Sequence, residues 1–206
     1  MKNLNIKNVA LKLWKIFKWA IFVLVGLFIL LIIVRIPHYF KVQKTNDQIV
    51  KIHNTKLTMD DVEGKNLPPD PGSEADKTVQ GIDANNNGIR DDVELAIFKE
   101  YPKSAKTRAV LLQYALALQM IFIQPFINEE IATVLAEKDS QSYDCIGNIV
   151  PVSDDDIFII NNYKNKIRKI QFNTEDRLKL EKEFNSKIRS FELKSSCDID
   201  LTKLSD

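Results

Sequence analysis

Oxygen-bearing side chains recur at alternate positions in the stretch DANNNGIRDDVE, residues 83–94: Asp83, Asn85 and Asn87, then Asp91, with Glu94 closing the run. Counted from Asp83 these are positions one, three, five, nine and twelve, with Gly88 at six and Ile89 at seven. Calcium takes six to eight hard oxygen ligands, so a loop that holds it must curl and present an oxygen from every second residue. Asp83, Asn85 and Asn87 offer carboxylate or amide oxygens, and Gly88 allows the sharp turn because it carries no side-chain penalty at positive φ. Ile89 offers its main-chain carbonyl while its side chain enters a core, and Asp91 acts directly or through a water. Glu94 closes the site with both carboxylate oxygens from the first turn of the following helix. The competing reading is an Asn/Asp/Gly-rich turn in which Asp91 and Asp92 stabilise a helix start without any metal. A cap does not require an acid or amide at every ligand position, a glycine at six and a glutamate at twelve, so Ca2+ is the expected cofactor. The expected metal ligands are Asp83, Asn85, Asn87, Ile89, Asp91 and Glu94. With Asn85 and Asn87 neutral and Arg90 alongside, a weak site is expected, roughly 10⁻⁴ to 10⁻³ M as in extracellular modules.

The loop resembles the calcium loops of EF-hands, dockerins and thrombospondin type 3 repeats, notably bacterial forms ending in DDVE. It departs from an EF-hand in its entry, where the Pro/Gly break leaves room only for the short SEADKTVQ, and from a dockerin in having one copy. The longer pattern LPPDPGSEADKTVQGIDANNNGIRDDVELAIFKEYPKSAKTRAVLLQYALALQ resembles uncharacterised exported or membrane-anchored proteins of Gram-negative bacteria. That resemblance implies calcium and export, and supplies no reaction.

Helices must position such a loop. The pattern predicts a short helix over 93–101, stopped before Pro102, and a longer one opened by Ser104 in which AVLLQYALALQMIFIQ is apolar nearly all round. A helix apolar on every side is buried in protein or in membrane; this one is short for a span and is followed by Pro125, so a central core helix is expected. Further helices are expected over 128–139 and 155–170, the latter with Ile157, Ile160, Tyr163, Ile167 and Ile170 on one face. A last helix, capped by Asn173 or Thr174, would present Leu178, Leu180, Phe184, Ile188 and Phe191. The expected fold class is mainly α: an N-terminal transmembrane helix, a stalk, and a small helical domain carrying one calcium loop.

Between Lys18 and Arg35 sixteen residues run without a charge, and apolar neighbours extend the segment to 13–36, enough to cross a bilayer. Trp14, Trp19 and Tyr39 suit the interfacial belts. The exit VRIPHYFKV is bulky where a cleavage site needs small residues, which favours an uncleaved signal anchor over a cleaved peptide. Lys2, Lys7, Lys12, Lys15 and Lys18 precede the span without an acid, so residues 1–12 are expected in the cytoplasm and the body of the protein in the periplasm of a bacterial inner-membrane, single-pass protein. Residues 37–66 read as a stalk or linker ended by Pro68, Pro69 and Pro71, with the exported domain over 67–206. In that compartment Cys145 and Cys197 are expected to form a disulfide.

The formal charge of +1 combines a basic first fifth with a balanced remainder, which leaves no nucleic-acid surface. His38 and His53 fall outside the expected domain and read as solvated. The acids of SDDD, 153–156, suit a helix start, and KNKIRK, 164–169, reads as a water-facing basic stretch. With no catalytic residues assigned, the expected function is a membrane-anchored interaction or structural module with an envelope protein partner. The alternative is an envelope hydrolase whose acids converge from different helices.

Overall fold

The computed structural model describes residues 6–153, 155–193 and 196–205, with side chains of the first helix from Ala10 onward; Asp154 of the SDDD run lies outside the described residues. Among the described residues there are seven α-helices and no strand. The chain forms two compact units, one ending at Asp47 and one beginning at Gln48.

The first unit is helical. Helix α1, Ile6–Asn54, runs through Pro37 without ending and is long and apolar enough to cross a membrane. From Leu11 to Val42 its apolar side chains are exposed on every side, Trp19 at 72% and Phe22 at 71%. A surface of that kind suits lipid rather than water.

The second unit is built around α4, Ala105–Ile123, whose apolar residues from Ala109 to Phe122 are buried. Two helices of this chain are thus apolar nearly all round, and α4 is the one enclosed by protein, as its length predicts. Around it pack α2, Met59–Glu63, α3, Asp91–Glu100, α5, Glu129–Gly147, α6, Asp156–Gln171, and α7, Glu175–Lys187. Side-chain caps set several starts. Ser104 accepts from the Thr107 amide at 3.1 Å, Asn128 from Ile131 at 2.9 Å and Thr174 from Arg177 at 3.4 Å. At α2 the Thr58 hydroxyl and the Asp61 carboxylate form a reciprocal capping box, and Gly64 ends the helix at φ 70°.

Three boundaries differ from expectation. The folded unit begins at Gln48, not near Leu67, because Ile52, Leu57 and Val62 of the expected stalk are buried in the core. Polar scatter in 40–65 obscures these contacts, since only every fifth residue or so faces inward. Helix α5 continues past Asp139 to Gly147, because Ser142, Cys145 and Ile146 form a buried stripe along it. Helix α7 stops at Lys187; Ile188 is extended at ψ 133°, and Leu178 faces outward while Phe184 is buried.

The carboxy-terminal segment packs back onto the domain. Cys145 and Cys197 are bonded, with Cα atoms 5.3 Å apart. Gln113 of α4 donates to the Ser196 carbonyl and accepts from the Asp198 amide, and Asp198 accepts from the Leu57 amide at 3.0 Å. Ile199 and Leu204 are buried beside them.

Candidate metal centre

The loop is assembled by its own side chains. The two carboxylate oxygens of Asp83 accept from the amides of Asn87, at 3.1 Å, and Gly88, at 2.9 Å. Asn85 Oδ1 accepts from the Asn87 amide at 3.3 Å, and Asn87 Oδ1 from the Ile89 amide at 2.9 Å. The Asn85 and Asn87 bonds are Asx turns, and together with the longer Asp83 bonds they curl the backbone. Asn86 at φ 58° and Gly88 at φ 85° take the left-handed conformations that the curl demands. A Cβ on Gly88 would lie 2.8 Å from Leu116 Cδ1, so the loop also sits directly on α4. Ile89 directs its fully buried side chain into the core, as position seven requires.

No side chain caps α3; the residue before it, Arg90, makes no capping bond. The Asp91 carboxylate instead reaches back across the loop to the Ala84 amide, at 3.0 and 3.2 Å. Burial raises the Asp91 carboxyl above its ordinary value, against the pull of the Ala84 hydrogen bond, and neighbouring Asp83 and Asp92 add to the rise.

Glu94 is buried, and burial pushes its carboxyl up to about 7, with smaller opposing contributions from the Asn85 and Asn87 amides. Its Oε2 accepts from Asn85 Nδ2 at 3.0 Å, and the same amide donates to the Asn66 carbonyl at 3.0 Å. Asn87 Nδ2 is buried without a hydrogen-bond partner. A buried carboxylate faced by two neutral amides lacks the compensating charge that burial of an anion calls for. The loop carries the carboxylates of Asp83, Asp91 and Glu94 and the amides of Asn85 and Asn87, donor types that suit a hard cation. Among the described residues no three His, Cys, Asp or Glu side chains converge as a metal-binding group, so a cation here would depend on the two asparagines for its coordination.

Two arginines fasten the loop and its approach to the domain, and neither was singled out in the sequence for that purpose. Arg90, 0% exposed, binds the Asp92 carboxylate and donates to the Ile170 and Gln171 carbonyls at the end of α6. Arg177 of α7, also 0% exposed, donates to the carbonyls of Ala75, Thr78 and Val79 and to Asp76. Gln171 donates to Gln119, which donates to the Gln80 carbonyl at 2.7 Å. Little that is local marks these residues: apart from Asp92, the partners named here lie 39 to 102 positions away.

A second group of polar side chains meets between α4, α5, α6 and α7. Tyr114 hydroxyl and Asp139 Oδ1 are buried without hydrogen-bond partners, near Arg168, which pairs with Glu181. Burial raises both the Tyr114 and the Asp139 groups. The basic stretch 164–169 is largely spent on such contacts: Lys166 pairs with Glu100, and Lys164 lies over the Tyr143 ring.

Comparison of the chain with family models, curated proteins and solved structures finds no match to any of the three.

Proposed function

We propose that this chain is a membrane-anchored protein of the bacterial envelope whose helical domain binds one structural calcium ion through Asp83, Asn85, Asn87, Ile89, Asp91 and Glu94, and that it acts as an interaction or structural module. The observation that carries the metal reading is the buried Glu94 carboxylate at the closing position of a loop already curled by Asx turns. Bound calcium would supply the positive charge this carboxylate lacks. The ion would clasp the irregular approach over 66–82 to the first turn of α3. Export with the amino terminus inside rests on the lysine-rich start and on one helix of sufficient length and apolarity.

Calorimetry and thermal melting of the full chain in lipid nanodiscs, with calcium and with chelator, test the metal. Wild type is expected to bind in the millimolar range or tighter and to melt higher with calcium. Asp83→Ala is expected to lose both responses. Glu94→Gln is expected to lose them too, yet to be at least as stable as wild type in chelator, because it removes a buried charge. A wild type that neither binds nor is stabilised by calcium would make the loop a helix-entry turn only. Accessibility of a single cysteine introduced on the domain surface, probed from either side of the membrane, checks the orientation.

A further inference from the structure

The chain reaches the loop at 83–94 through a segment that the loop itself grips. Helix α2 is tied to the domain at its end, where Val62 is fully buried and its carbonyl accepts from Arg108 Nε at 3.0 Å. Gly64 then turns the chain at φ 70°, so close to α3 that a Cβ there would lie 2.7 Å from Phe98 Cε1. Beyond this turn the Asn66 carbonyl meets Asn85. Asn85 Nδ2 donates to it at 3.0 Å and to Glu94 Oε2 at 3.0 Å, while Asn85 Oδ1 accepts from the Asn87 amide at 3.3 Å. Only this orientation of the amide gives every contact a donor and an acceptor. Turned over, its oxygen would face a carbonyl and a carboxylate, and its NH2 would face an N–H.

Asn85 and Asn87 are therefore not equivalent, although both stand at alternate positions as amide ligands. Asn87 Nδ2 is buried without a hydrogen-bond partner, so an oxygen in its place costs no bond. An oxygen in place of Asn85 Nδ2 costs two bonds and sets it against two other oxygens. A ligand side chain whose far end is held by an outer partner is fixed in direction, and loss of such a partner typically lowers metal affinity about 10–100-fold. Here the outer partner is a main-chain carbonyl 19 positions before Asn85, outside the twelve-residue loop.

We infer that Asn85 is a positioning residue that couples calcium occupancy of the loop to the order of the preceding segment 59–67, through its Nδ2 bond to the Asn66 carbonyl. The coupling rests on the calcium reading above and deepens it. Coordination through Oδ1 holds the amide plane still and draws electron density from Nδ2, which strengthens its donation to Asn66. By linkage, whatever displaces Asn66 weakens calcium binding by the same factor.

Amide exchange by mass spectrometry and calcium affinity by calorimetry, on the full chain in lipid nanodiscs with calcium and with chelator, test this. In wild type, calcium is expected to slow exchange several-fold over 59–67 as well as over 83–94. Asn85→Asp keeps an oxygen at the ligand position but has no donor. It is expected to bind calcium no tighter than wild type despite its added charge, with slowing confined to 83–94. Asn87→Asp adds the same charge without losing a bond, and is expected to bind several-fold tighter and to keep the slowing over 59–67. Gly64→Ala displaces the turn before Asn66 and is expected to weaken calcium several-fold although it alters no ligand. Calcium-loaded wild type without slowing over 59–67, or calcium-loaded Asn85→Asp that retains it, overturns the inference. Should Asn85→Asp bind no calcium, unchanged affinity in folded Gly64→Ala overturns it instead. A wild type that binds no calcium overturns the calcium reading itself, and the coupling with it.

Discussion

Asp139 shows how one side chain sets the response of the domain to pH. It projects from α5 among Tyr114 of α4, Lys164 and Arg168 of α6 and Glu181 of α7, and burial raises its carboxyl despite the two nearby cations. A carboxyl raised in the folded state favours folding at low pH, and that advantage disappears as pH rises through the folded value. Asp139→Asn is therefore expected to stabilise the domain at pH 7 and to flatten the decline in stability as pH rises above the ordinary carboxylate range, measured by urea unfolding with chelator present throughout. An unchanged slope would show that Asp139 has its charge satisfied in solution. This group was not legible in the sequence, because its members come from four helices and only folding brings them together. The loop at 83–94 was legible for the opposite reason. Its side-chain-to-backbone bonds join residues two to five positions apart, so spacing alone carries the curl.

Among the elements, the ends of α6 and the start of α3 are joined by a single guanidinium. Replacing Arg90 by Gln removes its contacts with Asp92 and the two carbonyls, and is expected to cost about 3 kcal/mol, as for one partner of a buried ion pair. Hydrogen exchange is expected to quicken around 168–173 as well as around the loop; acceleration confined to the loop would mean that α6 holds its end without Arg90. The disulfide operates over a longer range, closing a separation of 52 residues. Cys145→Ser with Cys197→Ser is expected to lower stability by about 2–4 kcal/mol and to expose 196–205 to proteolysis, while equal melting with and without reductant would contradict this. Helix starts were readable where Ser104 and Thr174 supply caps. The extent of α5 was not, because the polar run after Ala136 hides a one-sided stripe that only α4 gives meaning to.

For the whole molecule, the unit from Gln48 onward is the one expected to fold. A fragment 48–206 keeps Ile52, Leu57 and Val62 in the core, together with the Val62 carbonyl that Arg108 binds at 3.0 Å. A fragment 67–206 loses three buried aliphatic side chains, each worth about 1.5–3 kcal/mol, and is expected to melt lower or aggregate; equal melting of the two would return the boundary to the proline-rich break. Mainly helical architecture and one long apolar helix followed from periodicity and run length, whereas this boundary followed from neither. The glutamines of α4 bear on the order in which such a molecule assembles. Gln113 holds the tail, Gln119 holds Gln80 and Gln171, and Gln124 holds Gln48, partners between 39 and 85 positions away. Helix α4 forms from local contacts, but each of these attachments waits for a large loop of chain to close. Folding is thus expected to begin on this one helix and to finish at its polar stations, so that a nascent chain still lacking its last residues would leave the first of them, Gln113, without its partners.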